Sequence, residues 1–137
     1  VGEDIFYQVQ DNILFSERVM YDAALAFTKV HGTLADRVMA AMKAADDAGG
    51  DSRCTCEREP KPVAACDGKT AHVAYIAIAD RDDTRGTSHN DGDYYAYISV
   101  TDENILPTEN ANPVKTLRMR YDAWKNDGSP RLSPSAR

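Results

Sequence analysis

A predicted helix with clear signals at both ends lies between Thr33 and Gly49. Thr33, followed by Asp36 three residues later, is typical of a capping box, in which two side chains satisfy free amides at the helix start. Apolar residues recur at helical spacing as far as Ala45, and Gly49 and Gly50 follow. Because glycine readily adopts the left-handed backbone that ends helices, we expect the helix to stop there.

The predicted buried stripe of this helix is Leu34, Val38, Met42 and Ala45. Its charged residues fall off that stripe, and we expect them on the solvent side: Asp36, Arg37, Lys43, Asp46 and Asp47.

The remaining elements follow from apolar periodicity and capping signals. Alternating apolar residues predict a strand at 5–10, and a helix follows, with Ser16 as its N-cap and Gly32 at its end. Further strands are predicted at 71–79, apolar on both faces, and at 94–101. A last helix is capped by Asn112 and carries Pro113 at its first position, with Val114, Leu117, Tyr121 and Trp124 as its buried stripe. The order β-α-α-β-β-α predicts an α+β layered domain.

Composition limits the partners of the chain. The sequence has 137 residues, a net charge of −6 and a pI near 5.0, which is enough chain for one domain with a core. We expect that domain to span residues 1–127, followed by a flexible Ser/Pro tail at 128–137. The acidic balance argues against nucleic acid and membrane surfaces as partners, since both attract clustered Lys and Arg.

Three cysteines, Cys54, Cys56 and Cys66, lie in a proline-containing loop at 51–69. Zinc would need a fourth ligand such as His72, and the spacing matches no common zinc pattern. A disulfide between one of the first two cysteines and Cys66 is the alternative that we favour, which predicts a secreted or periplasmic protein. One cysteine is then left for another chain or as a free thiol.

The segment between the last two predicted strands is acidic. Asp80, Asp82, Asp91 and Asp93 are oxygen ligands of the kind that calcium prefers. Their spacing is not that of an EF-hand, and the alternative is a solvated acidic loop. No P-loop, Rossmann or zinc-protease motif is present, and we expect no cofactor.

Several short segments occur in a distinctive order. They are residues 9–14 (VQDNIL), 34–37 (LADR), 48–51 (AGGD) with Arg53, 74–78 (AYIAI), 112–117 and 121–124 (YDAW). Together they resemble the C-terminal half of domain-of-unknown-function family 1028, across most of residues 5–126, with Asp11 where a glycine is usual. That family is grouped with the N-terminal-nucleophile (Ntn) hydrolases, and the cysteines resemble those of its secreted branch.

The resemblance implies an αββα sandwich of which this chain is the C-terminal part. Ntn hydrolases use a chain-terminal Thr, Ser or Cys as the nucleophile and its own α-amino group as the base. Val1 and Gly2 offer no nucleophilic side chain. We therefore expect the nucleophile on a companion N-terminal chain or half of the same precursor, and no activity from this chain alone.

Three residues are candidates for the rim of such a site. Asn12 at a strand end could stabilise an oxyanion, and Asp51 with Arg53 could orient a substrate. The alternatives are that Asn12 is a turn residue and that Asp51 and Arg53 form a turn-stabilising pair.

Two functions from different classes remain open. The first is a secreted Ntn-type amidohydrolase, and the second is a non-catalytic scaffold or assembly protein on the same fold. The odd cysteine favours the second, as do Tyr95 and Tyr97 if they lie on an uncovered strand face. Either function predicts a homo- or hetero-oligomer.

Overall fold

The structure, a computed structural model, describes residues 5–54, 68–88 and 91–132. These ranges contain three helices and one two-stranded antiparallel sheet. In chain order the elements are α1 (Arg18–Lys29), α2 (Leu34–Asp47), β1 (Ala74–Ile78), β2 (Ala96–Val100) and α3 (Pro113–Asn126). The predicted α+β class is confirmed, although the described elements form one sheet and not the two of an αββα sandwich.

α1 begins two residues after Ser16, the predicted cap. Glu17 occupies the N-cap position and makes no capping hydrogen bond with its side chain. Val19, Ala23 and Phe27 are buried on one face of the helix.

α2 begins with the predicted capping box. Thr33 Oγ1 accepts a hydrogen bond from the Asp36 amide at 3.2 Å, and Asp36 Oδ2 accepts one from the Thr33 amide at 2.9 Å. Gly49 and Gly50 follow the helix with φ values of +106° and +57°. A side chain at position 50 would also clash with the carbonyl oxygen of Thr70, so this turn needs glycine.

The buried face of α2 is rotated from the predicted stripe. Ala35 and Met39 are buried, whereas Leu34 is 53% exposed. Asp46 continues the buried face at the end of the helix, and its predicted place on the solvent side is wrong. The neighbouring elements decide the buried face, because α2 packs against α1 on one side and against β1 and α3 on the other.

The two predicted strands are present as β1 and β2, which form an antiparallel hairpin in a register that pairs Ile76 with Ile98. These two side chains are buried on the inward face. The outward face carries Tyr97, which stacks on Tyr75 at a centroid distance of 6.2 Å, and the exposed Ala77. A strand that is apolar on both faces is expected to be covered on both, but within the described residues only the inward face of β1 is buried.

α3 follows its prediction closely. The Asn112 side chain accepts a hydrogen bond from the Val114 amide at 3.1 Å, and Pro113 occupies the first turn. All members of the predicted stripe are buried: Val114, Leu117, Tyr121 and Trp124. Together with Met39 and the inward face of the hairpin, they form one hydrophobic core.

Residues 5–10 contain no regular secondary structure, and the predicted strand is wrong. Alternation of apolar side chains is not enough for a strand, because a strand also needs a hydrogen-bonded neighbour. Phe6 is 93% exposed. The segment is attached further along, where an isolated antiparallel bridge joins Leu14 to Asp51.

Residues 128–132 were expected in a free tail, but they lie against β2. The Leu132 amide donates a hydrogen bond to the Tyr95 carbonyl at 2.9 Å, and the Tyr97 amide donates one to the Leu132 carbonyl at 2.8 Å. Leu132 also packs against the core. The predicted boundary at residue 127 is therefore too early, and residues 133–137 lie outside the described ranges.

Candidate functional site

A cavity of about 270 Å³ lies where α1, α2 and the start of α3 meet residues 9–14 and 70–74. We call it the α1–α2 cavity. Its walls are mostly apolar, and they include Leu14, Val19, Met20, Met42, Val73 and Val114. Asp11, Asp46, Asp51 and Thr70 are among its few polar members. An apolar pocket with a few polar groups is the usual form of a small-molecule site.

Backbone hydrogen bonds at the exit of α2 build one wall of this cavity. The Phe15 amide donates to the Gly50 carbonyl at 2.9 Å, and the Asp51 amide donates to the Thr70 carbonyl at 2.8 Å. The tight turn at Gly50 lets both neighbouring segments approach the helix end. Segments far apart in the sequence thus line one cavity.

Asp46 is the most buried carboxylate of the cavity wall, at 9% exposure. Its Oδ1 accepts hydrogen bonds from Thr70 Oγ1 and, at 2.8 Å, from Asn112 Nδ2. Its Oδ2 accepts none from the described residues, and Asp46 forms no ion pair with them. No polar side-chain atom of the described residues is both fully buried and unpartnered, so Oδ2 keeps some solvent-accessible area, on a residue that lines the cavity.

Asn112 holds this carboxylate in place. Its side chain is 1% exposed, and Nδ2 also lies 3.1 Å from Thr70 Oγ1. Because Oδ1 of the same amide caps α3, the orientation of the amide is determined by both contacts. The Asp46 carboxylate is therefore held rigidly by neutral donors.

Asp51 and Arg53 are brought together as the sequence predicted. Arg53 Nε lies 2.9 Å from Asp51 Oδ1, and the Arg53 amide donates to the same oxygen at 2.8 Å. The hydrogen bond from Arg53 is the main reason that the pKa of Asp51 is lowered. Asp51 lines the cavity while Arg53 is exposed. This geometry suits both a turn-stabilising pair and a pair at a cavity rim.

Asn12 lies outside the cavity, in a neighbouring open depression of about 580 Å³. The depression shares Asp11 and Met20 with the cavity. The amides of Asn12 and Ile13 both donate to Asp11 Oδ1, so the side chain of Asp11 closes the turn. Within the described residues, Asn12 forms no side-chain hydrogen bond with Asp51 or Arg53.

Cys54 is buried, and burial raises the pKa of its thiol. A raised pKa makes this thiol a poor nucleophile at neutral pH. Cys56 and Cys66 lie outside the described residues, with most of the 51–69 loop. The disulfide therefore stays a prediction.

The four calcium candidates, Asp80, Asp82, Asp91 and Asp93, do not converge on one point. Asp80 faces Arg131 at 3.4 Å. Asp91 accepts a hydrogen bond from the Ser88 amide at 2.7 Å, and hydrogen bonds from Thr87 and Ser88 lower its pKa to about 2. In the part of the chain that the structure describes, no three His, Cys, Asp or Glu side chains are grouped to hold a metal ion.

Asp46 and Thr70 are the site residues that the sequence did not identify. One signal for Asp46 was present, because Ala35, Met39, Met42 and Asp46 follow each other at helical spacing. An acidic residue at the end of such a stripe is a candidate for a buried carboxylate. Nothing in the sequence marked Thr70.

None of the described helices is both long enough and apolar enough to cross a membrane.

The model of a family of unknown function, DUF1028, matches residues 2–60. No curated protein and no solved structure matches the chain. The matched part holds α1, α2 and the bridge between Leu14 and Asp51, whereas the hairpin and α3 lie beyond it. The match covers less than half of the 137 residues, so the similarity to that family concerns this part of the chain.

Proposed function

We propose that this chain is the C-terminal part of an Ntn-type amidohydrolase, with its nucleophile on a companion N-terminal half of the same precursor. The family match over residues 2–60 supports the family, and the resemblance of that family to Ntn hydrolases supports the reaction class. The reaction is hydrolysis of an amide bond by a terminal Thr, Ser or Cys.

The observation that carries this proposal is the α1–α2 cavity. It is apolar, it has a bidentate Asp51–Arg53 pair at one wall, and Asn12 lies in the adjoining depression. In this proposal Asn12 donates to the developing oxyanion, and Asp51 and Arg53 orient the substrate.

The nucleophile has to come from elsewhere. Cys54 is buried with a raised thiol pKa, and the Thr70 hydroxyl is engaged with Asp46. A companion half would bring the terminal nucleophile and its α-amino base to the mouth of the cavity. It would also extend the hairpin, since two strands alone are marginally stable.

Two features of the described surface agree with a companion half. Ile5 and Phe6 expose apolar side chains shortly before residues 9–14, several of which line the cavity. The outward face of the hairpin exposes Ala77. The second sheet of a sandwich would cover that face. The proposal also places the protein in a secreted or periplasmic compartment, because its three cysteines suit an oxidising environment.

Intact mass spectrometry and N-terminal sequencing of native material, with and without reductant, test the proposal. A co-purifying chain that begins with Thr, Ser or Cys is the expected result. Replacing that terminal residue with Ala should abolish hydrolysis of an amide library while leaving the two chains associated. Native material that contains this chain and no companion would overturn the proposal.

A non-catalytic scaffold is the second candidate, and the outward face of the hairpin favours it. Tyr97 lies there, between Tyr75 at 6.2 Å and Tyr94 at 5.7 Å. Tyr95 does not belong to this surface, because it packs edge-on against Trp124 at 6.0 Å. If the scaffold is correct, Tyr97→Ser should dissociate an oligomer in analytical ultracentrifugation, and no amide should be hydrolysed.

A further inference from the structure

We propose that the α1–α2 cavity binds a small ligand with an apolar body and a protonated amino group, and that Asp46 receives the amino group. The inference rests on the proposed function in that it treats the cavity as the substrate pocket. It narrows the substrates to amides that carry a free amine.

The charges around the cavity lead to this choice. Asp51 is neutralised by Arg53, and Asp11 is exposed to solvent in its turn. Asp46 is buried and has no cationic partner among the described residues. A buried carboxylate without a cation is costly, and neutral donors offset only part of that cost. A cationic ligand would supply the positive charge that Asp46 lacks.

The geometry of Asp46 leaves one oxygen for such a ligand. Thr70 and Asn112 both donate to Oδ1, which leaves Oδ2 as the free acceptor beside the cavity. Because the Asn112 amide is itself locked by capping α3, the carboxylate needs little reorganisation on binding.

The walls decide between an organic amine and a bare metal ion. Calcium and magnesium need about six oxygen ligands, and the remaining lining is dominated by side chains such as Met20, Met42 and Val114. Those side chains suit an alkyl body of a few carbons. An anionic ligand would be repelled by the carboxylate of Asp46, which no described cation neutralises.

The test uses three probes of the same shape that differ in charge: pentylammonium, 1-pentanol and pentanoate. Each is titrated into the full chain, with any companion that co-purifies, at one ionic strength and followed by ¹H–¹⁵N NMR. We expect pentylammonium to shift the amides of Ala71 and Val114 and to bind at least about tenfold more tightly than pentanol. Equal affinity for pentanol would overturn the proposal.

A matched pair of variants tests the role of Asp46. Asp46→Asn should weaken pentylammonium binding at least about tenfold, and Asp47→Asn should leave it unchanged. Both variants remove one negative charge at neighbouring positions, but the Asp47 side chain is 60% exposed and pairs with Lys43. Loss of binding in both variants, or in neither, would contradict the assignment to Asp46.

A third variant tests the cavity by shape. Ala71→Leu places extra carbon atoms in the space between the walls and should block pentylammonium and pentanol alike. Urea unfolding of each variant identifies any loss of fold. If Ala71→Leu folds and still binds pentylammonium, the ligand does not occupy this cavity and the proposal fails.

Binding and hydrolysis are scored separately. Amine binding that depends on Asp46, without any amide hydrolysis, would support this inference and contradict the proposed function. Hydrolysis of amides with no preference for a free amine would support the proposed function and contradict this inference.

Discussion

The two ends of α2 each connect to α3 through an aspartate, and the two sites differ in charge balance. At the first end, Asp36 accepts a hydrogen bond from Tyr121 Oη at 2.6 Å and lies 3.2 Å from Lys125 Nζ. At the other end, Asp46 binds only the neutral groups of Thr70 and Asn112.

This difference in charge balance distinguishes Asp36, a structural contact, from Asp46, a candidate binding group. Hydrogen bonds, above all the one from Tyr121, hold the pKa of Asp36 far below its ordinary value. Burial and the Asp36 carboxylate in turn raise the pKa of Tyr121. The charge of Asp36 is thus matched within the protein. The charge of Asp46 is matched by no described cation, which is unfavourable for folding and favourable for binding a cation.

The largest effect is expected from Asn112→Ala. This change removes the cap of α3 and one of the two donors to the buried Asp46 carboxylate. We expect a loss of about 2–4 kcal/mol in the free energy of unfolding, since a lost cap and a lost buried donor each cost about 1–2 kcal/mol. Urea unfolding at neutral pH measures it.

The control for this prediction is Asn126→Ala at the other end of α3. Asn126 is exposed, and the change should alter stability by less than about 0.5 kcal/mol. Equal effects of the two substitutions would mean that the link between Asn112 and Asp46 contributes nothing.

Asp36→Asn comes next in size. The amide retains an acceptor for Tyr121 but loses the charge that faces Lys125 and one acceptor of the capping box. We expect about 1–2 kcal/mol of destabilisation. Asp122→Asn, which breaks the exposed pair with Arg118, is the matched control and should cost about 0.3–0.5 kcal/mol.

Acid should destabilise the parent protein by protonating the carboxylates whose pKa is lowered in the folded state. The pKa of Glu109, whose ordinary value is 4.5, is lowered to about 2, chiefly by the hydrogen bond from Arg120. The pKa of Asp36 is also lowered. A carboxyl with a lowered pKa stabilises the fold above its unfolded pKa, and this stabilisation is lost as pH falls through the folded value.

We therefore expect the free energy of unfolding to fall between pH 4.5 and about 2. The fall should be shallower in Asp36→Asn and, through loss of its main hydrogen bond, in Tyr121→Phe. A parent curve that stays flat across this window would show that these carboxylates do not stabilise the fold.

Elements with local signals were predictable from the sequence. The cap and stripe of α3 and the capping box of α2 depend on residues within a few positions of each other. The rotation of α2 was not predictable, because α1, β1 and α3 decide which side is buried. Residues 5–10 failed as a strand for the same reason, since alternation does not reveal whether a neighbouring strand exists.

The candidate site likewise has one part that the sequence could predict and one part that depends on the complete fold. Asp51 and Arg53 are two positions apart, and their pairing was predictable. Asp46 is 24 residues from Thr70 and 66 from Asn112, so its hydrogen bonds depend on the complete fold. Helical spacing from Ala35 and Met39 could mark Asp46 as a candidate for burial, but nothing in the sequence identifies its hydrogen-bond partners.

Among the substitutions that test the two aspartates and Asn112, Asp46→Asn is expected to change stability least, and this variant sharpens the comparison most. The amide keeps an acceptor for Thr70 and Asn112, and its NH₂ group takes the position of Oδ2 beside the cavity. Because the buried charge has no cation, its removal should change the free energy of unfolding by less than about 1 kcal/mol, on the stabilising side. Urea unfolding beside Asp36→Asn measures the contrast. A destabilisation as large as that of Asp36→Asn would mean that Asp46 is a structural contact like Asp36, because a charge retained for a ligand should stabilise the protein only when the ligand is bound.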